Sequence, residues 1–141
     1  MLQSPTASRP PVRSYVGPVR RWDTYWADLE PGVGREQKGV RRPVVVISND
    51  GFNRTFEMVT VVPMTKLEGK ERKVYPFEVV LPKGIVTAEW ASIVMVQQIR
   101  AISKLRLLEP IGTIADQVHR TAIESRILEH LDIEFEEDKE P

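Results

Sequence analysis

Residues 31–50, PGVGREQKGVRRPVVVISND, set a loop rich in glycine and cations directly against an apolar strand. The loop carries the pair Glu36-Gln37 and four cationic side chains, Arg35, Lys38, Arg41 and Arg42. Such a loop offers unpaired backbone N–H groups and fixed positive charge to an anion, while Pro43-Val44-Val45-Val46-Ile47 anchors its far end in a core. Phosphate is the anion that fits this chemistry. Any one of the four cations reads equally as a solvated surface charge. Arg42 stands apart because it precedes Pro43: a residue before proline is pushed to extended geometry, so a rigid junction sets its side-chain direction. A guanidinium held that way presents a planar donor fork to phosphate oxygens at low entropic cost.

Other phosphoryl chemistries find little support in this chain. A histidine pair is the commonest acid–base couple, but the only histidines, His119 and His130, lie 11 residues apart on one predicted helix. That is about 16 Å along its axis at ~1.5 Å per residue, and both read as surface helix residues. The acidic cluster Glu134, Glu136, Glu137 and Asp138 sits in a tail without a scaffold, which reads as a solvated end rather than a metal site. With no cysteine in the chain there is no disulfide framework, thiol nucleophile or thiolate metal site, a composition compatible with a reducing cytoplasm. No cofactor and no metal are therefore expected.

Several separated blocks carry a family likeness. They are Arg21 with Tyr25-Trp26-Ala27-Asp28-Leu29, Pro31, Gly34-Arg35-Glu36-Gln37, Arg42-Pro43, Val46-Ile47-Ser48-Asn49-Asp50 and Asn53-Arg54. Downstream follow Val61-Val62-Pro63-Met64-Thr65, Tyr75-Pro76-Phe77-Glu78-Val79, Gln98-Ile99-Arg100 with Ile102, and Lys104-Leu105-Arg106-Leu107. In this order, over about residues 21–131, the chain resembles the MazF/PemK toxins, which are messenger RNA endoribonucleases. Three departures stand out. Trp22 replaces the usual glycine after the opening arginine, Gln97 replaces a common acidic residue before Gln98, and both termini carry extra polar segments.

The resemblance implies a sequence-specific, metal-independent cut in single-stranded RNA that leaves a 2′,3′-cyclic phosphate and a 5′-hydroxyl. It also implies a homodimer and a cognate antitoxin. Arg42 aligns with the family's catalytic arginine, Thr65 with the catalytic Thr or Ser, and Glu36 with the glutamate of the Gly-x-Glu-Gln loop. Such cleavage needs a proton acceptor for the 2′-hydroxyl and donors aimed at the non-bridging phosphate oxygens. On this alignment Arg42 would neutralise the phosphorane, Thr65 would donate its hydroxyl, and Glu36 would orient Arg42 or accept a proton. Arg35, Lys38, Asn49, Lys66, Arg72 and Gln98 are assigned to RNA binding.

Taken alone, Thr65 reads as a strand-terminal hydroxyl bonding its own backbone, and Glu36 as a surface partner of Lys38 or Arg41. The loop 66–73 either tracks an RNA backbone or is simply solvated. Of Phe52, Phe56, Tyr75, Phe77 and Trp90, one or two at most are expected to stack bases. A plasmid-borne branch of the family uses another Arg/Asp pair, and Met95 and Gln97 occupy those positions here, which shifts weight to Arg42 and Thr65. Two alternatives are a CcdB-like gyrase-binding toxin and a non-catalytic RNA-binding member of the fold. The first would end its helix in an aromatic tripeptide, whereas this chain runs into EFEEDKEP.

The elements that must position these residues fit one domain in 141 residues. The formal net charge is +0, but residues 134–141 hold five acidic residues and one basic, leaving 19 basic against 15 acidic, or +4, in residues 1–133. Residues 1–20, with four prolines, three serines and three arginines, read as a disordered basic arm, residues 21–133 as the toxin domain and residues 134–141 as a disordered acidic tail. No apolar run is long enough to span a membrane, and the N-terminus lacks the apolar stretch of a secretory signal.

Short β-branched and aromatic runs between turn signals predict strands over 23–28, 43–48, 58–64, 74–81, 92–97 and 98–102, with a short one near 110–113. Asn49-Asp50-Gly51 is expected to turn. Residues 114–131 change period, with Ile114, Val118 and Ala122 and then Ile123, Ile127 and Leu131 at spacings of four. Thr113 with Asp116 suggests a capping box, so an amphipathic helix closes the chain. The fold class is α+β, mainly β: a small, strongly bent antiparallel barrel with a C-terminal helix, which the resemblance makes SH3-like, of the CcdB/MazF type.

Overall fold

The structure, a computed structural model, describes residues 13–67 and 72–134. Its strands are β1 (Asp23–Ala27), β2 (Arg42–Val46), β3 (Met58–Leu67), β4 (Val79–Leu81), β5 (Ala91–Val94), β6 (Arg100–Ser103) and β7 (Leu107–Thr113). Helix α1 (Asp50–Thr55) follows β2, and α2 (Gln117–His130) follows β7. Among the described residues no helix is long and apolar enough to cross a membrane.

β3 is the spine. Its first half pairs with β6, its last residues with β5, and its middle with β2 along the opposite edge, all antiparallel. The sheet order β4-β5-β3-β2-β1-β7 leaves the end strands β4 and β7 without a shared ladder, so the expected strongly bent antiparallel barrel with its C-terminal helix is present but its sheet is not closed. Two local reasons are visible. β4 is only three residues long, and β7 carries Pro110 and pairs with β1 through register shifts at Thr24/Tyr25 and Tyr25/Ala27. The gap is narrowed by packing: the Val86 carbonyl lies so close to Gly112 that a Cβ there would come within 2.7 Å of it.

Period-two patterning covers both faces of β2 and β3. Val44, Val46, Val59 and Val61 join Tyr25, Ala27, Leu29, Ile102 and Leu107 on one face. Val45, Val62 and Met64 join Trp22, Leu81, Val94, Val96 and Ile123 beneath the helix. Burying each such aliphatic side chain contributes about 1.5–3 kcal/mol, so the spine is the least deformable part of the sheet.

Several expected boundaries move. The run 74–81 is strand only from Val79, because residues 75–78 form a turn in which the Glu78 N–H donates to the Tyr75 carbonyl at 2.9 Å. Residues 96–98 form a single helical turn between β5 and β6. Asn49 does turn the chain, but as the cap of α1, its side chain accepting from the Phe52 N–H at 2.8 Å. At α2 the cap is Asp116 alone, which accepts from the His119 N–H at 3.2 Å, while Thr113 donates its hydroxyl to Asp23. The apolar stripe is also narrower than expected. Ile123 is fully buried and Ala122 and Ile127 flank it, but Val118 and Leu131 are exposed. Val118 lies five residues before Ile123, about 140° round the helix at ~3.6 residues per turn.

Residues 1–12 and 135–141 lie outside the described residues, as do the expectations placed on them. Residues 13–20 are not a free arm: Tyr15 donates its N–H to the Leu107 carbonyl at 2.7 Å and packs its ring 5.0 Å from Tyr25, and Val19 is buried.

Candidate active site

The β2–β3 ladder runs Val46↔Val61, Val45↔Val62, Val44↔Pro63. Carried two residues further, the same register sets Arg42 opposite Thr65, on one face of the sheet. The ladder stops short of them at Pro43, which has no N–H to donate to β3. The strand ends can therefore splay, and they open a cavity of about 390 Å³ lined by Trp26, Arg41, Arg42, Pro43, Thr65 and Lys66. Three of these six are cationic and none is acidic. The alignment of two residues 23 positions apart thus follows from strand register alone.

The cations are not equivalent. Arg41 lies over the Trp26 ring, 4.6 Å from its centroid, and pairs with the Glu109 carboxylate at 3.0 and 3.4 Å. Arg41 in turn holds the Glu109 carboxyl below the ordinary carboxylate range, first by hydrogen bonding and then by charge. Lys66 sits 4.1 Å from the Trp90 ring centroid, and Trp90 packs on Trp26 at 5.7 Å. Arg42 is the guanidinium of the cavity that no carboxylate engages among the described residues. The Gln37 amide lies against the guanidinium, and the orientation that satisfies both groups turns its oxygen inward, to accept from Nε at 2.8 Å and also from Nη2. Of the five N–H donors on an arginine, Gln37 takes two, which leaves three. Among the described residues no other hydrogen bond engages them. The stem of Arg42 passes over Gly39, whose φ is +130° and where a Cβ would meet the Arg42 Cδ at 2.7 Å, so a glycine is needed there.

The other residues singled out in the sequence fall in different places. Glu36 is exposed, its carboxylate makes no hydrogen bond or ion pair among the described residues, and it does not line the cavity. The expected orienting contact on Arg42 comes from its neighbour Gln37 instead. Arg35 and Lys38 are exposed on the same loop, Lys38 bonding the Gly34 carbonyl at 3.3 Å. Gln98 spends both ends of its amide on this loop, accepting from the Gln37 N–H and donating to the Arg35 carbonyl, each at 2.9 Å. It is a clamp on the loop rather than a free RNA ligand. Asn49 borders a separate cavity with Arg21, Ile47, Ser48, Phe52 and Thr60, at the other end of β2 and β3.

Arg72 is also occupied. Both its Nη atoms bond the Glu78 carboxylate at 2.9 Å, and Glu78 accepts as well from the Tyr75 N–H at 3.1 Å and from Gln97 Nε2 at 2.9 Å. Burial raises the Glu78 pKa, but Arg72, Gln97 and the Tyr75 N–H outweigh it and hold the carboxyl below the usual glutamate range. Sequence reasoning missed Gln37, Glu78 and Gln97 as site-supporting residues. No local signal marks them, because their partners lie far off in sequence, Gln98 for Gln37 and Glu78 for Gln97. Among the described residues no group of three or more His, Asp or Glu side chains converges as a metal site.

Residues 20–131 match the family of PemK-like, MazF-like toxins of type II toxin–antitoxin systems. The chain is 34% identical over 120 residues to Endoribonuclease MazF9 of Mycobacterium tuberculosis, a match covering 82% of this chain and 98% of that protein. Its fold is similar to that of MazF from Deinococcus radiodurans, with a TM-score of 0.71 at 23% identity, over 84% of this chain and 100% of that one. A mycobacterial endoribonuclease solved in complex with its cognate antitoxin is also similar, with a TM-score of 0.65 at 18% identity, over 86% of this chain and 100% of the other.

Proposed function

The chain belongs to the PemK-like, MazF-like toxins, and from that footing we propose that it is a sequence-specific endoribonuclease that cuts single-stranded messenger RNA without a metal. The observation that carries the chemistry is that Arg42 and Thr65, from neighbouring strands, line one cationic cavity. The 2′-oxygen attacks phosphorus as its proton leaves, the P–O5′ bond breaks, and the departing 5′-oxygen takes up a proton. The products are a 2′,3′-cyclic phosphate and a 5′-hydroxyl. Arg42 directs its free N–H donors at the non-bridging oxygens, where negative charge grows, and Thr65 donates its hydroxyl to the same group. Glu36 is available as the proton acceptor, since nothing among the described residues occupies its carboxylate. Arg35, Lys38 and Lys66 supply positive charge along the approach.

The same reading makes the functional unit a cytoplasmic homodimer restrained by a cognate antitoxin, as the antitoxin complex of the mycobacterial neighbour suggests. A gyrase-binding role has no comparable support, because the cavity's three cations suit a polyanion. The test is to incubate the purified protein with a long RNA in excess EDTA and sequence the cut ends. Cuts at one short motif with 2′,3′-cyclic phosphate termini are expected. Dependence on added Mg²⁺, or equal cutting of duplex and single strand, would overturn the reading.

A further inference from the structure

The turn Val96–Gln98 carries two adjacent glutamines that grip different loops. Gln98 holds the β1–β2 loop by its backbone at Arg35 and Gln37. Gln97 holds the β3–β4 connection, its amide donating to Glu78, which fixes Arg72 and the Tyr75 N–H. These are the two loops that flank Arg42 and Thr65. The turn between them is anchored: Val96 is fully buried, the Met95 N–H bonds the Pro63 carbonyl of β3 at 2.9 Å, and α2 packs against it. The polar chain is continuous in space, from Arg72 through Glu78 to Gln97, and from Gln98 through Gln37 to Arg42.

We propose that Gln97 and Gln98 are positioning residues that bind both rim loops to one buried turn and thereby fix the orientation of the Arg42 guanidinium through Gln37. The inference rests on the endoribonuclease reading. Residue 97 must be an amide for a specific reason. A carboxylate can only accept, so the group facing Glu78 has to donate, and the Gln97 Nε2 does. A carboxylate at position 97 would meet a like charge at hydrogen-bond distance, and one of the two would have to hold a proton. Among the described residues no other charged side chain bonds Glu78 or Gln97, and Arg100, three residues further on, keeps a buried Nη1 without a partner. Arg72 is already on Glu78. On α2, His119 bonds Asp116, Arg120 the Ile114 carbonyl, Glu124 pairs with Arg21 and Arg126 with Glu129, and His130 is exposed at the helix end. Lys66 of β3 lies over Trp90.

The decisive experiment measures steady-state cleavage of one RNA oligonucleotide by the full chain from pH 5 to pH 8, with each variant expressed as a ratio to wild type at the same pH. Gln97→Glu should be close to wild type at the acid end, where the shared proton lets one carboxyl donate to the other. It should lose kcat by about tenfold or more as pH rises and the proton leaves, with KM moving much less. The exchanged pair Gln97→Glu with Glu78→Gln has a single carboxylate and should flatten the ratio again. Gln98→Ala should lower kcat on the order of 10²-fold at every pH, the scale of a misplaced catalytic group. A pH-independent ratio for Gln97→Glu, or an unchanged kcat for Gln98→Ala, overturns the proposal while wild-type cleavage leaves the endoribonuclease reading intact. Absent cleavage by wild type sinks that reading first.

Discussion

Replacing Arg42 with alanine removes the guanidinium of the cavity that no carboxylate engages among the described residues. Gln37 takes two of its five N–H donors, so three remain, and the outer Nη1/Nη2 edge can meet a phosphate with two parallel hydrogen bonds. If those bonds strengthen as charge builds on the phosphorane, their loss falls on kcat. Removing one preorganised donor costs about 10²–10³ in rate, or ~2.7–4 kcal/mol, and Arg42→Ala should fall in or above that range. Binding should weaken far less, since Lys66 and the loop cations remain. Arg42→Lys should recover only part of the loss, because an ammonium cannot bond Gln37 and span two phosphate oxygens in one plane. Thr65→Ala should behave like Arg42→Ala in kind, whereas Thr65→Ser, which keeps the hydroxyl, should stay active. The double alanine variant should be little worse than the poorer single one, as expected of groups that act together. The assay is single-turnover cleavage of a fluorescent oligonucleotide bearing the mapped site, with circular dichroism to verify folding. A folded Arg42→Ala protein that cuts within about threefold of wild type would refute the placement of the active site.

Two further outcomes are expected of the supporting structure. Breaking a buried ion pair costs about 3–5 kcal/mol; because Arg72 is one-third exposed, Glu78→Gln should lose about 2–3 kcal/mol in urea unfolding at pH 7. The Glu78 pKa is lowered by folding, so this stabilisation is present above the ordinary glutamate value of about 4.3 and disappears as pH falls through the lower folded value; a gap of constant size down to pH 2 would contradict it. Tyr15→Ala should lower stability by about 1–2 kcal/mol, the scale of a lost aromatic pair and its burial, and Tm by on the order of 5 °C. Its cleavage rate should be unaltered, and an unchanged Tm would mean that residues 14–19 do not hold the β1–β7 edge.

What was legible in the sequence is what period-two patterning and turn chemistry control. Val44 to Val46 and Val59 to Met64 alternate between two buried faces, so β2 and β3 were legible as strands, whereas their register was not, and Arg42 and Thr65 were singled out only through the family resemblance. The helix at the C-terminus was legible from its change of period. Its buried stripe was not, because spacings of four were extended to Val118 and Leu131, which are exposed. The polar scaffold was not legible either. Gln37 and Gln98 meet across 61 residues and Gln97 and Glu78 across 19, and nothing local distinguishes a glutamine that clamps a loop from one in solvent. Arg72 illustrates the cost of that blindness: its position in a charged loop suggested an RNA contact, while a fully buried carboxylate claims its fork.

These observations also explain how a chain of zero net charge presents a site fit for a polyanion. At physiological salt, charges separated by more than about 8 Å are largely screened, so the local arrangement matters more than the sum. Two carboxylates are engaged by pairing, Glu109 with Arg41 of the cavity and Glu78 with Arg72. Each pair removes a negative group from competition, yet each also consumes a cation that the sequence offered to RNA. What remains in the cavity is Arg42, aimed by Gln37, and Lys66, seated on Trp90. Specific cleavage needs one correctly directed fork more than it needs a broad positive field, since only charge placed where the transition state develops lowers the barrier. The sheet supplies that direction through the β2–β3 register, and the loops refine it through Gln37. A substitution that leaves net charge unchanged but releases the Arg42 guanidinium therefore does more harm to cleavage than one that removes a cation elsewhere on the rim.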